Sequence, residues 1–389
     1  MTITGDEALL RDCFARARAH IFYRDHFAGV ADHHMAPAVD KAVLKPHLDR
    51  FAPGSEPRGV YLVRSGGSTS TPLVFPVDIE ENHAQRHALA GMLRAAGMFD
   101  AGTVALNLFG YADLYRTAAI LDDLLERCGA TSLPMSAHAR YEDILTAARR
   151  FAPSHLLGTP SKLQLFAEFL RTAGASLSIP QLLYAGEPLP ASAVERFAQS
   201  FGTRDFWSLY GGAETGIWAW SDVSRKPGLF RILPQVVVEV MSPDAEGFGE
   251  LAITNGYRKR FPVFRYLVGD VGRLVERDGA CLLELRGRNA RSFLLAEQHF
   301  DLALFAPLAA GAEAFQIQLR REGQGGDRLE LLLIDPAGNC SIDAAAAGLA
   351  QLMRDAAPRV ALEVRRVAMA TLHHDPVTTK APPIADLRR

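Results

Sequence analysis

The chain has 389 residues, of which 48% are hydrophobic and 22% charged, with a formal net charge of -2 at pH 7. That length and composition allow two or three domains around a large buried core. The charge balance offers no basic stripe for nucleic acid and no surface for anionic lipid. Cys13, Cys128, Cys281 and Cys340 lie far apart without a CxxC, which argues against a zinc knuckle or disulfide framework and fits a reducing cytoplasm. No basic-then-apolar leader opens the chain and no apolar run is long enough to span a bilayer, so a cytoplasmic protein without a membrane partner is expected.

In chain order, the first stretch to about residue 58 reads as helical and then irregular, broken by Pro37, Pro46, Pro53 and Pro57. Gly59 to Arg64 and Leu73 to Val77 read as strands around a Gly/Ser/Thr loop. Asp78 and Glu81 have capping-box spacing for a helix running to Gly97. Strands then alternate with helices. The expected strands are Thr103 to Phe109, Ser132 to Met135, His155 to Gly158, Leu182 to Ala185 and Phe206 to Tyr210. The expected helices are Ala112 to Cys128, Tyr141 to Arg150, Pro160 to Ala173 and Ala191 to Ser200. Such alternation points to α/β layers with mainly parallel strands.

From about residue 228 to 288 the hydrophobic period becomes two, which predicts a β-rich subdomain. Its strands are Val236 to Met241, Glu250 to Thr254, Val263 to Tyr266, Gly272 to Glu276 and Cys281 to Leu285. The remainder, 289–389, reads as a small α+β unit. It comprises a hairpin (Phe315 to Arg320 with Leu329 to Ile334), a helix (Ile342 to Ala356) and a strand (Val360 to Val367). The division expected is therefore a large core over 1–288 and a small C-terminal unit over 289–389.

Several stretches carry chemistry. Ser208-Leu209-Tyr210-Gly211-Gly212-Ala213-Glu214 ends a strand in two glycines with a carboxylate close behind. The glycines admit a bulky ligand to the backbone, and the carboxylate can hold a hard cation. Ser65-Gly66-Gly67-Ser68-Thr69-Ser70 exposes amides and hydroxyls suited to phosphate oxygens, although no Gly-Lys-Ser/Thr of a Walker loop follows. Gly186-Glu187-Pro188 turns at the end of an apolar strand, where open α/β sheets bind ligands. Asp270 lies just past a strand and can accept two ribose hydroxyls; Gly287-Arg288 marks a junction. Only six of the 42 basic residues are Lys, and Lys380 is the sole one beyond Arg260. Lysine supplies a compact mobile charge that arginine does not. Each stretch taken singly also reads as an ordinary turn, loop or solvated charge.

The order and spacing of these stretches resemble the adenylate-forming superfamily of acyl-CoA synthetases and peptide-synthetase adenylation domains. Within it they are similar to the phenylacetate-CoA ligase branch and to the compact members of antibiotic pathways such as phenazine biosynthesis. The resemblance runs from about Tyr61 to the C-terminus. It implies ATP and Mg2+ as cofactors and activation of a small-molecule carboxylic acid as an acyl-adenylate. Ser65 to Ser70 would hold the β- and γ-phosphates, and Gly186, Glu187 and Pro188 would flank adenine. The wall from Ser208 and Leu209 through Tyr210, Gly211, Gly212 and Ala213 would pack on the nucleotide, with Glu214 binding Mg2+. Asp270, assisted by Arg288, would hold the ribose. Lys380, carried on a C-terminal lid, would reach the carboxylate and α-phosphate. The branch places an aromatic-gated acyl pocket at Phe109, Gly110 and Tyr111, with Tyr184, Ile217 and Trp218 as further candidates. An aromatic or otherwise planar acid is the expected substrate.

Two departures stand out. Ser70 and Thr71 replace the Gly and Lys that precede the loop's Pro, and Asn289-Ala290-Arg291 through Glu297 lack the family's acid and the glycine of its pantetheine tunnel. Acyl-adenylate formation is thus better supported than thioester formation, and the role of CoA stays open. The acceptor could be a reductase, an amine or a carrier protein. The alternatives are a full acyl-CoA ligase and a non-catalytic nucleotide-binding relative; the sequence does not separate monomer from homodimer. His83 and His87 share a helix face, but Ala84 replaces the Glu of a zincin, so they read as solvated. His33-His34 and His373-His374 are expected to be surface residues.

Overall fold

The computed structural model describes residues 2–3, 7–64, 73–189, 191–288, 292–295, 298–322, 326–354, 360–376 and 378–388. The expected phosphate loop Ser65 to Ser70, the hinge run 289–291 and Glu297 lie outside them, as does the side chain of Arg288. The chain opens with β1 (Thr2–Ile3), α1 (Glu7–Ala19), α2 (Lys41–Leu48), β2 (Val60–Arg64), β3 (Val74–Asp78) and α3 (Ile79–Ala95). Alternation follows: β4 (Val104–Asn107), α4 (Thr117–Cys128), β5 (Thr131–Pro134), α5 (Tyr141–Phe151), β6 (His155–Gly158), α6 (Pro160–Thr172), β7 (Gln181–Ala185), α7 (Ala191–Phe201) and β8 (Asp205–Gly212). Strands then dominate: β9 (Gly216–Asp222), β10 (Leu229–Ile232), β11 (Val236–Met241), β12 (Gly249–Asn255), β13 (Val263–Arg277) and β14 (Ala280–Arg288). The tail contains β15 (Ser292–Leu295), β16 (Gln298–Asp301), β17 (Ala314–Glu322), β18 (Gly326–Ile334), α8 (Ile342–Met353), β19 (Ala361–Arg366) and β20 (Ile384–Asp386).

Among the described residues, twelve strands form one mixed sheet in the order β1-β11-β12-β13-β14-β10-β9-β8-β7-β6-β4-β5. The β-rich stretch is present and continues this sheet: β8 pairs in parallel with β7 and antiparallel with β9. Alternate residues of the parallel strands face opposite layers. Ala105, Leu157, Leu183 and Trp207 pack with Leu89 and Leu93 of α3 and Leu121, Leu124 and Leu125 of α4. Leu106, Leu156, Leu182 and Phe206 pack with Ile144 of α5, Phe166 of α6 and Phe197 of α7. A third cluster seats α1 and the residues around Phe22, Tyr23 and Phe27 against Val237, Phe264 and Tyr266. The tail builds its own core on the sheet β19-β18-β17-β20, with α8 contributing Ala345, Leu349 and Met353.

Local chemistry explains several of the helix starts. Thr159 caps α6 by accepting the Lys162 N–H at 3.3 Å, and Pro160 occupies the first turn where no amide donor is required. Asp78 caps α3 by accepting the N–H groups of Glu80 and Glu81. Glu81 does not complete the expected capping box; its carboxylate accepts the N–H groups of Lys259 and Arg260, at 2.9 and 3.0 Å. The helix expected from Ala112 begins instead at Thr117. Asp113 and Leu114 take φ of 44° and 62°, and Ala112 bridges Tyr115, so this segment is a turn. Asp270 lies inside β13 rather than past a strand, because a register shift at Val271/Gly272 lets two expected strands run on as one.

Candidate functional site

Four parallel strands deliver their C-terminal ends to one edge of the sheet. Asn107 of β4, Gly158 of β6, Ala185 of β7 and Gly211 near the end of β8 lead into Leu108-Phe109-Gly110, Thr159-Pro160, Gly186-Glu187 and Gly212. Open α/β sheets bind ligands at this edge, because the loops there diverge into a crevice. The glycine-ended strand Ser208 to Gly212 and the Gly-Glu-Pro turn are neighbours for this reason: Tyr184 pairs with Ser208 and Ala185 with Leu209.

The glycines of the wall have separate reasons. A Cβ on Gly211 would lie 2.1 Å from the Gly216 carbonyl oxygen, so only glycine allows β8 and β9 to pair this closely. Gly212 donates its N–H to the Thr215 hydroxyl at 3.1 Å, closing the turn that carries Ala213 and Glu214. Beneath the turn, the amides of Gln85 and Asn255 donate to the Thr215 carbonyl at 3.1 and 2.8 Å, and Gln85 also reaches the Ile217 carbonyl. Buried Arg258 joins them through Asn82 at 3.3 Å. The sequence reading missed this support, because its members come from α3 and the end of β12.

Glu214 is half-buried, and the Tyr266 hydroxyl donates to its Oε1 at 2.9 Å. Burial, reinforced by the Glu214 charge, pushes the Tyr266 phenol far above its usual range, so it stays a donor at neutral pH. One carboxylate oxygen is thereby fixed, an arrangement that suits a hard divalent cation. Tyr210 donates to Asp270 at 2.5 Å, and Asp270 pairs with Arg288 across β13 and β14. Tyr210 also packs edge-on against Trp218, at 4.8 Å between ring centres.

A third grouping involves the tail. Glu187 accepts the Ser161 N–H and hydroxyl, both at 2.9 Å, so its charge sits at the N-terminus of α6. The same carboxylate accepts the Ala381 N–H at 2.9 Å. Burial pushes the Glu187 carboxyl up, opposed by the Ser161 and Ala381 donors and by the Lys380 charge. The loop before Ala381 is closed by its own bonds: Asp375 donates to the Lys380 carbonyl, Thr379 donates to the Asp375 carbonyl, and the His374 ring bridges the Thr379 and Met369 carbonyls. Arg64, at the end of β2, pairs with Asp375 at 3.7 Å. Lys380 Nζ consequently lies 5.8 Å from the centre of the Tyr115 ring and 2.4 Å from where a Cβ on Gly186 would be. Gly186 has φ of +84°, a conformation that glycine adopts at little cost.

The expected pocket residues are distributed differently. Phe109 and Trp218 are buried in the core cluster that includes Leu209, with Ile217 packed against it. Tyr184 belongs to the cluster on the opposite face of the sheet, and Gly110 is buried. Tyr111 is 62% exposed. Pro188 is exposed at the turn. His33 departs from expectation: it is buried, packing against Phe14 and bonding Glu7. Among the described residues no helix is long and apolar enough to cross a membrane.

Residues 124–255 match the family model of AMP-binding enzymes. The fold is similar to that of 2-hydroxyisobutyryl-CoA ligase in its postadenylation state in complex with R3-HIB-AMP. The identity is 18%, with 98% of this chain and 90% of that one covered, and the TM-score is 0.69. The same ligase with 2-HIB-AMP and CoA, in its thioesterification state, aligns with 20% identity over 99% and 90% of the two chains, at a TM-score of 0.63. ATP-bound MatB from Rhodopseudomonas palustris aligns with 16% identity over 83% and 67%, at a TM-score of 0.55. At these identities the likeness is one of fold. No curated protein sequence matches the chain.

Proposed function

We propose that the chain is an adenylate-forming AMP-binding enzyme, a reading supported by the family-model match over residues 124–255 and by the likeness of fold, and that it activates a carboxylic acid, preferably an aromatic one, as an acyl-adenylate with release of pyrophosphate. The observation that carries this reading is the seating of Lys380 over Gly186, beside the strand end that presents Tyr210 to Glu214. Two anions have to meet in such a reaction, the acid and the α-phosphate. The ammonium of Lys380 supplies one neutralising charge, and Glu214, held by Tyr266, provides the ligand for Mg2+. When bound, Mg2+ draws charge from the phosphates. Tyr210 and Asp270 form the nucleotide's side of the site, with Asp270 on the ribose and Arg288 beside it in the ladder. Ser65 to Ser70 are assigned to the outer phosphates, and Gly186, Glu187 and Pro188 to the adenine edge. Residues 289–389 act as the lid that brings Lys380 in.

A second reading is a full acyl-CoA ligase, favoured by the fold likeness to a ligase holding 2-HIB-AMP and CoA. The absence of an acid and a glycine between Asn289 and Glu297 opposes it. Transfer to an amine, a reductase or a carrier protein follows in the preferred reading, as a biosynthetic step. Pyrophosphate exchange across a panel of aromatic and hydroxy acids tests activation, and mass spectrometry of the products with and without CoA tests the acceptor. Exchange with at least one acid and an adenylate unaltered by CoA are expected. Absence of exchange with every acid, in protein that binds ATP, would overturn the proposal.

A further inference from the structure

Far along the chain from these motifs, three side chains converge on one point. Oε1 of Glu7, the first residue of α1, lies 2.5 Å from His33 Nε2 and 3.0 Å from His34 Nε2. The ligand atoms of all three lie within 4.8 Å of one another. His33 and His34 are held by a short turn, His33–Met35, that Asp32 caps by accepting the His34 N–H at 2.9 Å. Their ring centres are only 4.1 Å apart.

The arrangement has an electrostatic peculiarity. Asp32 Oδ1 also lies 3.3 Å from His33 Nδ1, so a carboxylate faces each nitrogen of one buried ring. A neutral imidazole has a single N–H to offer. When that N–H serves Asp32, the Nε2 lone pair faces the Glu7 oxygen, and a bound cation between them satisfies both, as a second ring proton does in its absence. Two imidazoles and a carboxylate, with a second carboxylate orienting one ring from behind, form a donor set for a divalent transition metal.

We propose that Glu7, His33 and His34 bind a zinc-class divalent cation. Tetrahedral coordination with bonds of about 2.0–2.1 Å places ligand atoms about 3.3 Å apart. The Glu7 and His34 side chains are 50% and 53% exposed, which leaves them room to open by the small amount required and leaves further coordination positions to water. The site ties the start of α1 to the segment that supports β13. Arg265 donates to the carbonyls of His34 and Ala36, and Val39 exchanges backbone hydrogen bonds with Arg265 and Leu267. Between those two residues stands Tyr266, the donor to Glu214. The metal is structural in this assignment, a staple on the strand that carries Tyr266.

The test uses the full chain, stripped with a chelator, incubated with Zn2+ and gel-filtered before metal analysis. The wild-type chain is expected to retain one equivalent and to melt at a higher temperature than its stripped form. Glu7→Gln and His34→Ala change half-exposed side chains, and the stripped variants should melt with the stripped parent. Each should lose at least nine-tenths of the retained zinc, whereas His87→Ala, on an exposed helix face, should keep it. Failure of the wild-type chain to retain zinc, or equal retention in the Glu7 and His34 variants, would overturn the assignment.

Discussion

Lys162 puts an ammonium group where water scarcely reaches it. The residue is 4% exposed, and its charge lies 4.1 Å from the centre of the Tyr141 ring. Burial pushes its pKa down to about 8, so the folded protein disfavours the charge that the unfolded chain carries freely. Lys162→Met should therefore stabilise the fold at pH 7 by about 1–3 kcal/mol. The sign follows from linkage: the folded-state pKa is lowered, so the penalty is full below about pH 8 and fades as pH rises towards the ordinary lysine value of 10.5. Urea unfolding of both proteins at pH 7 and pH 10 measures it, and an equal gain at the two pH values would show that packing, not charge, is responsible. Tyr266→Phe removes one donor from Glu214 and leaves the ring in place. The loss of about 1 kcal/mol should raise the Mg2+ concentration for half-maximal pyrophosphate exchange roughly five-fold, read from a Mg2+ titration at saturating ATP.

Among the elements, β13 joins the most parts. Its Arg265 guanidinium pairs with Glu239 of β11 at 2.8 Å, and both side chains are almost wholly buried, 3% and 0% exposed. Glu239 comes from the second strand over, across β12, and Arg265 also holds the 34–36 carbonyls. Such a pair adds little over an apolar replacement, but removing one member strands the other charge in the core. Glu239→Gln should cost about 3 kcal/mol and, because Tyr266 is the next residue, should also weaken Mg2+ dependence in the direction of Tyr266→Phe. Thermal unfolding together with the Mg2+ titration checks both effects; a stability loss with unchanged Mg2+ response would detach Arg265 from the site.

At the scale of the molecule, the tail meets the larger domain through one small apolar contact, Leu165 of α6 against the cluster of Met369 and Leu372, and otherwise through polar ones. Ala381 donates to Glu187 and Ser161, Asp375 pairs with Arg64, and Arg196 pairs with Glu313. Polar contacts of this kind suit a unit that docks and leaves. Gly186→Ala tests the seat directly, since its Cβ would collide with Lys380 Nζ and its φ of +84° is strained for alanine. Displacing the ammonium should lower the rate of adenylation about 100-fold, equivalent to about 3 kcal/mol, with a much smaller change in the KM for ATP. Hydrogen exchange at the Ala381 amide should accelerate in parallel. An unchanged rate would place the working position of Lys380 elsewhere.

Much of this was legible from local chemistry alone. Alternating apolar periods announced the parallel strands and their helices, Pro160 and Asp78 marked helix starts, and the glycines of Tyr210 to Glu214 marked a close backbone approach. These features depend on neighbours within a few residues, so the sequence by itself determined them, along with the order of motifs that resembles adenylate-forming enzymes. Contacts between distant residues had no such signature. Glu81 turning away from its cap to Lys259 and Arg260, the support of Thr215 by Gln85 and Asn255, and the donation from Tyr266 to Glu214 join residues far apart in the chain. His33 could not be told from a surface histidine until α1 and Phe14 covered it. The tertiary structure alone decided where Lys380 rests, because a charge on a mobile stem has no local preference and takes its place only when Glu187 accepts the Ala381 amide at its side.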